Sequence, residues 1–394
     1  MLVLVENESV PHDRRVADIA RSLVEHGFTV SVICPADPGE PLTEDLSGVL
    51  VRRYLPRPSR GGALSQVAEY AVALVKTFGL MLSLWRKPGF DVVHACNPPD
   101  LFYLAVAPFR LLGTRFLFDQ HDLAPELYSA LYGRDEGIVL AALRFTERAS
   151  YRAADAVVTV NQSYKRLALS RGGVDEGRVF VVRNGPREGW PLPVAPDPAL
   201  KRGRRFLVVY MGVMGHQDGV DVLLEAIAAL VHGHGFDEAT FALVGDGNAA
   251  DSLRARATEL GIGEWVHFTG WVRDEAVLSA YLATADACVC PEPSSPLNDH
   301  STFIKVMEYM AAGTPIVAFD LPETRVSAGD AALYAAPGDV ECFAADIEAA
   351  LTDTELATRM RECARERIAA LRWERQVPAL LAAYERALAP RRRG

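Results

Sequence analysis

Thr302, Lys305 and Glu308, three residues at helical spacing, are the part of this chain best suited to chemistry. They lie in DHSTFIKVMEYMAAGTPIVAFD, residues 299–320, and on a helix they share one face near its start. A loop of small polar residues feeding a helix N-terminus offers backbone N–H groups and the positive dipole end to an anion. Lys305 adds a full charge for a phosphate, and Glu308 one turn deeper is an acceptor for vicinal hydroxyls such as those of ribose. Phosphate and ribose together suggest a nucleotide. The plainer alternative is a capped surface helix whose Lys and Glu pair with solvent. Ile304, Val306, Met307 and Met310 are expected to seat this helix on a core. Gly313 ends it, Pro315 prevents its continuation, and IVAF reads as a buried parallel strand.

The rest of the chain has the length to position such a site. Its 394 residues exceed what one hydrophobic core normally serves, so two domains are expected. A hydrophobic content of 49% and a charged content of 23% describe an ordinary globular protein. The net charge of −10 argues against nucleic acid as a partner, because such binders need a basic face. Residues 1–194 balance about 22 basic against about 22 acidic side chains, which places the acidic excess downstream. The six cysteines, at 34, 96, 288, 290, 342 and 363, lack CxxC spacing and read as reduced core residues. Met1 leads straight into LVLVEN, so a cytoplasmic location is expected. The longest apolar segment, 63–85, is interrupted by Gln66, Glu69 and Lys76 and does not read as a membrane span.

Along the chain, LVLVEN, a loop, an amphipathic helix with Val16, Ile19, Ala20 and Leu23 inward, and a strand after Gly27 form a β-α-β unit. A basic segment, 52–60, precedes the apolar helix; FDVVHACNPPD, RFLFDQHD, AADAVVTVNQS and RVFVVRNGP then supply strands ending in polar turns. In open α/β sheets such turns share one crevice, so His12, His94, His121 and Asn184 are brought toward one another. Residues 185–205, rich in Pro and Gly, read as an interdomain linker. The second half repeats the strand-helix alternation, which predicts two successive doubly wound domains. The predicted division is 1–190 plus a returning C-terminal helix, 372–394, and 191–371; Trp373, Val377, Leu380, Leu381 and Tyr384 form the stripe that docks that helix on the first domain.

In order and spacing, PHDRRVADIARSLVEHGFTV, FDVVHA, FDQHDLAPELY, ADAVVTVNQS, VFVVRNG, GVDVLLEAI, LVGDG, VHFTGWV and KVMEYMAAGTPIVAFD resemble the retaining family-four glycosyltransferases. The resemblance covers nearly the whole chain and implies the GT-B fold: α/β, with two facing Rossmann-like domains. It implies a nucleotide sugar on the carboxyl domain and an acceptor on the amino domain, with reaction in the cleft between. Glu308 matches the acid that holds ribose, and Ser301, Thr302, Phe303 and Ile304 match the loop over the donor sugar and β-phosphate. Gly215, His216, Asp299 and His300 fall on the same donor side; Gly245 and Gly247 with Trp271 and Val272 match the nucleobase pocket. His121 matches a histidine beside the transferred sugar, while His12, Asp13, Arg14, His94 and Asn97 fall on the acceptor side.

The chain departs from that pattern in places. Where the family pairs two glutamates, the first falls on His300, with Asp299 beside it. The family's arginine and lysine at the start of the second domain are replaced by Val213 and Asp218, and NESVPHDRR lacks the family's double glycine. Each lost charge-assisted bond would be worth about 1.5–3 kcal/mol. His216, Lys305 and the helix dipole are the available compensation. His94 between apolar residues also reads as a core histidine, Arg14 and Arg15 serve equally as solvent caps, and Glu323 as a helix cap. Asp246 forms no DxD motif, so no metal or other cofactor is expected. The basic run 52–60 and its neighbouring helix suggest peripheral membrane contact, against the plainer reading of a solvated loop.

The expected function is therefore transfer of a sugar, with retention, from a nucleotide sugar to an acceptor nucleophile on an envelope glycan, a lipid-linked molecule or a small natural product. The competing readings are a non-catalytic nucleotide-sugar binder and an epimerase or hydrolase on the same frame.

Overall fold

The computed structural model describes residues 1–57, 63–87 and 89–390. They form two units, one of Met1–Asn184 with the segment that begins at Gln376, the other of Gly185–Arg375.

The first unit is built on eight strands: β1 (Leu2–Leu4), β2 (Val30–Pro35), β3 (Thr43–Leu46), β4 (Val49–Tyr54), β5 (Val92–Cys96), β6 (Arg115–Gln120), β7 (Ala156–Thr159) and β8 (Val179–Val181). Their order is β3-β4-β2-β1-β5-β6-β7-β8, and only the edge strand β3 is antiparallel. β1, β2 and β5 are buried along their whole length, which is why they read as continuous apolar runs. The first helix, Arg14–Glu25, starts where the Asp13 carboxylate accepts the Val16 N–H at 2.9 Å, and Val16, Ile19, Ala20 and Leu23 face the core. The basic segment at 52–60 is in part strand. Arg52 and Arg53 belong to β4, where Arg53 is buried and pairs with Glu40 and Glu44, at 3.2 and 2.8 Å; residues 58–60 lie outside the described residues.

The second unit holds β9 (Phe206–Met211), β10 (Ala239–Val244), β11 (Val266–Gly270), β12 (Ala287–Cys290), β13 (Ile316–Phe319) and β14 (Ala332–Ala335). All are parallel, in the order β11-β10-β9-β12-β13-β14, the dinucleotide-fold order with its switch point between β9 and β12. The stretch read as a linker is tied to this unit: Leu192 and Asp197 donate their N–H groups to Ser279 Oγ and Thr284 Oγ1, at 2.9 and 2.8 Å. Trp373 also belongs here, its N–H donating to the Pro186 carbonyl, so the terminal apolar stripe is divided. The last helix, Val377–Leu388, packs on β6, β7 and β8 of the first unit with Leu380 and Tyr384 buried.

At the switch point, two loops are joined backbone to backbone. Gly212 N–H donates to the Val244 carbonyl at 3.0 Å, and Met214 N–H to the Asp246 carbonyl at 2.9 Å. Gly245 has φ +139° and a Cβ there would stand 1.9 Å from the Gly212 carbonyl oxygen; a Cβ on Gly247 would stand 2.5 Å from that of Met214. Only glycine permits this approach. Gly245→Ala is expected to cost at least about 1–3 kcal/mol from the backbone conformation alone. Thermal denaturation should show a lowered midpoint, and an unchanged profile would mean that the two loops are not held together.

Candidate donor and acceptor sites

In the second unit the candidate donor residues gather around the carboxyl ends of β9, β10 and β12. The helix Ile304–Ala312 begins after Phe303, with no side chain capping its N-terminus and no acid in its first turn. Thr302 lies before this helix rather than on it, and Ile304 is exposed at 45% instead of seated on the core. Val306, Met307 and Met310 are buried, and Tyr309 Oη accepts the Met211 N–H at 2.8 Å, which fixes the helix to β9. Glu308 is itself buried, so the polar face is interior rather than solvated.

Lys305 is also largely interior. Its Nζ lies 2.5 Å from Glu292 Oε1 and 4.1 Å from the centre of the Tyr210 ring, beneath Gly212. Burial opposes its charge, but Glu292 and Tyr210 overcome this and hold its pKa above the ordinary lysine value. The cation expected to serve a phosphate is thus already paired, and Glu292 Oε2 has no hydrogen-bond partner. Asp218, which replaces the family's lysine, caps its own turn by accepting the Gly215 N–H at 2.8 Å. Burial pushes its carboxyl up to about 6, with Lys305 opposing. His216 and Val213 are exposed.

The loop after β12 is held by its own polar groups. Asn298 donates to the carbonyls of Gln217 and Pro293, both at 2.9 Å. His300 Nδ1 lies 2.9 Å from the Pro296 carbonyl and must carry the proton of that bond; Ser301 Oγ donates to the Leu297 carbonyl. Asp299 accepts from Ser294 through one oxygen, while its other oxygen is buried without a partner. The Nδ1 side of the His300 ring is therefore tied to its own turn, and one Asp299 oxygen keeps a vacant acceptor. Gly245 and Gly247 serve the loop junction described above, Val272 packs on the core, and Trp271 is 63% exposed.

In the first unit His94, His121 and Asn184 converge as expected, around Arg15 and Asp119, while His12 does not join them. Arg15, rather than Arg14, is buried: its Nη2 and Nε reach both oxygens of Asp119, at 2.9 and 3.1 Å, and Nη1 donates to the Val182 carbonyl and to Asn184. Asp119 also meets His94 Nε2 at 3.1 Å and His121 Nε2 at 3.0 Å. Arg15 Nε also lies 2.9 Å from His121 Nε2. Since a carboxylate only accepts, the His94 Nε2 carries hydrogen, and the His94 Nδ1, 2.8 Å from Tyr384 Oη, accepts from that phenol. Burial works to raise the Asp119 pKa, yet Arg15 and His121 hold the carboxyl well below its usual range. Burial lowers the pKa of His94, which is fully enclosed and supports the cluster from within. His121 reaches the surface, its side chain 14% exposed.

Asn97 Oδ1 accepts the N–H groups of His121 and Asp122, at 2.6 and 3.1 Å, and its Nδ2 donates to Asp100 at 3.0 Å. His12 turns away toward Asp37 and Glu40, 3.8 and 3.9 Å distant; Asp13 serves as helix cap, and Arg14 is exposed. Sequence reasoning missed Arg15's position, Asp119, Tyr384, Glu292 and Asn298. Asp119 had a signal, two residues before His121 on a strand and so on the same face. Among the described residues, His94–Cys96–Asp119 and His12–Asp37–Glu40 have spacing compatible with a metal ion. All six cysteines are free, though Cys342 and Cys363 are only half-buried.

Against known proteins, residues 13–186 match the model described as Glycosyltransferase Family 4, and residues 205–353 match that described as Glycosyl transferases group 1. The chain belongs to this family of glycosyltransferases, with the GT-B fold. It is 28% identical to D-inositol 3-phosphate glycosyltransferase 1 of Catenulispora acidiphila over 95% of this chain and 90% of that one. Among solved structures, sucrose-phosphate synthase from Thermosynechococcus elongatus matches 98% of both chains with a TM-score of 0.78 at 20% identity. Anabaena HepE, solved with UDP and glucose, matches 98% of both with a TM-score of 0.69 at 18% identity.

The buried acids beside this cluster generate a pH dependence. Burial, and next Glu147, push the Asp100 carboxyl up to about 8; burial pushes Glu147 up to about 7. A carboxyl whose folded pKa is raised favours folding most below its unfolded value, about 3.9, and that contribution is lost as pH rises through the folded value. His94, held neutral, contributes the opposite slope only below about pH 6.5. Stability should therefore fall from about pH 6.5 to 8, and Asp100→Asn, which mimics the protonated acid, should flatten that fall by several degrees in Tm. An equal slope in the variant would remove Asp100 as its source.

Proposed function

We propose that this glycosyltransferase moves a sugar from a nucleoside-diphosphate sugar to an acceptor nucleophile with retention of configuration and without a metal. What carries the reading is the switch point of the second unit: a buried glutamate, a lysine and an uncapped helix N-terminus lie at one end of a six-stranded parallel sheet. In this reading Glu308 accepts the ribose hydroxyls, and the helix N-terminus with Lys305 meets the diphosphate. Ser301 to Ile304 cover the donor sugar, with the unpartnered Asp299 oxygen accepting its hydroxyls; Gly215 and His216 border it. Trp271 and Val272 sit at the base. The first unit holds the acceptor, and the partly exposed His121 ring, held against Asp119 and Arg15, borders it.

The reaction is a front-face displacement. The acceptor nucleophile bonds to the anomeric carbon as the bond to the phosphate oxygen breaks, the electron pair passes to that oxygen, and the same oxygen takes the acceptor proton. Lys305 and the helix dipole stabilise the charge that forms there. Because Lys305 begins paired with Glu292, diphosphate has to compete with a carboxylate for it. HepE, which was solved with UDP and glucose, makes UDP-glucose the first donor to test.

Titration with UDP tests the site directly. Glu308→Ala should weaken binding by about 1–3 kcal/mol, whereas Glu292→Gln, which frees Lys305, should tighten it by about tenfold. Unchanged affinity in Glu308→Ala would remove that residue from the site, and weaker binding in Glu292→Gln would mean that Glu292 holds ligand itself. Release of UDP should depend on an added acceptor, with D-inositol 3-phosphate as the first probe, and should survive excess chelator. The anomeric proton of the product, followed by NMR, reports retention or inversion.

A further inference from the structure

We propose that one outer helical face of the first unit docks on an anionic lipid bilayer, independently of the donor site. Three helices lie side by side there: Ala63–Arg86 beside Phe102–Leu111, and Phe102–Leu111 beside Ile138–Ala153. The long helix is apolar enough by length and composition to cross a membrane, but Ala73, Thr77, Met81 and Leu84 bury its inner face in the unit, so it lies flat. Its outer side exposes Val67 at 60% and Val75 at 72%. The neighbouring helix ends in Leu111 and Leu112, exposed at 89% and 66%.

The third helix carries the clearest pattern. Ile138, Ala141, Ala142 and Phe145 are all exposed at i, i+3, i+4 and i+7, one continuous apolar stripe turned outward where a globular helix would turn it inward. Ile138 is 87% exposed and Phe145 68%. Arg144, Arg148 and Arg152 flank the stripe. On these three helices every fully exposed charged side chain is basic, Lys76 and Arg86 included, although the whole chain carries −10.

Exposed apolar residues set among long cationic side chains suit the boundary between acyl chains and phosphate headgroups, where the arginine stems lie along the apolar zone and their heads reach phosphate. Each such cation adds attraction to an anionic leaflet. A second copy of the chain fits less well, because a self-complementary contact through this face would oppose arginine to arginine. Of the basic run at 52–60, Arg53 is already held by Glu40 and Glu44.

Co-sedimentation of the full chain with vesicles tests this. Binding is expected with phosphatidylcholine mixed with an equal amount of phosphatidylglycerol, and weak with phosphatidylcholine alone or in high salt. The double variants Ile138→Asp/Phe145→Asp and Arg144→Glu/Arg148→Glu should each lose about tenfold or more of that binding. Their melting curves and UDP affinity should stay at the unaltered protein's values, which separates loss of this surface from failure of the donor reading. No binding to anionic vesicles, or equal binding by both variants, would overturn the proposal. So would a dimer in light scattering that Ile138→Asp/Phe145→Asp dissociates while vesicles leave the protein in solution.

Discussion

A charge buried in a protein is tolerable only when its neighbours return more than burial removes, and each unit of this glycosyltransferase places such a charge at the carboxyl end of its parallel sheet. In the first unit the Arg15 guanidinium is answered by Asp119, Asn184 and the Val182 carbonyl, and Asp119 by two histidines besides. These groups come from a helix, two strands and the chain beyond β8. Tyr384 of the last helix completes His94, which gives that helix a polar reason to return as well as an apolar one. Hydrogen-bond counting fixes the tautomer of His94, which donates from Nε2 to Asp119 and accepts at Nδ1 from Tyr384.

The second unit solves the same problem with fewer groups. Lys305 has Glu292 and an aromatic ring, and the second carboxylate oxygen of Glu292 is left without a partner. Asp218, at a position where the motif resemblance implied a cation, uses its carboxylate to close a turn, a task for which lysine has no acceptor. The carboxyl end of this sheet therefore holds one lysine already neutralised by a buried glutamate.

Much of the architecture was legible in the sequence, because it depends on short-range rules. Alternating apolar strands and amphipathic helices imply parallel sheets wherever they occur, and LVGDG and GTPIVAF carry their turns in their own glycines and prolines. The strand-end turns were enough to bring Asn184 toward His121, both of which meet Arg15. The inward face of the first helix follows from periodicity alone, whereas Asp13, placed on the acceptor side by the resemblance, turned out to cap that helix.

What tertiary structure decided was which of two equivalent neighbours does the work. Arg14 and Arg15 are alike as letters, yet one residue turns the side chain by about 100° around a helix, and only the packing on β6 shows which one meets Asp119. Glu292 lies 13 residues from Lys305 in a loop without periodicity, so their pairing has no local signature. His300 kept the spacing of a ligand-binding acid, but a carbonyl four residues back holds its ring. Trp373 sits in an apolar stripe that the fold divides between two units. Local pattern determines secondary structure because backbone geometry is local; partners of buried charges are chosen by the whole chain, because only the completed fold removes the water that would otherwise serve them.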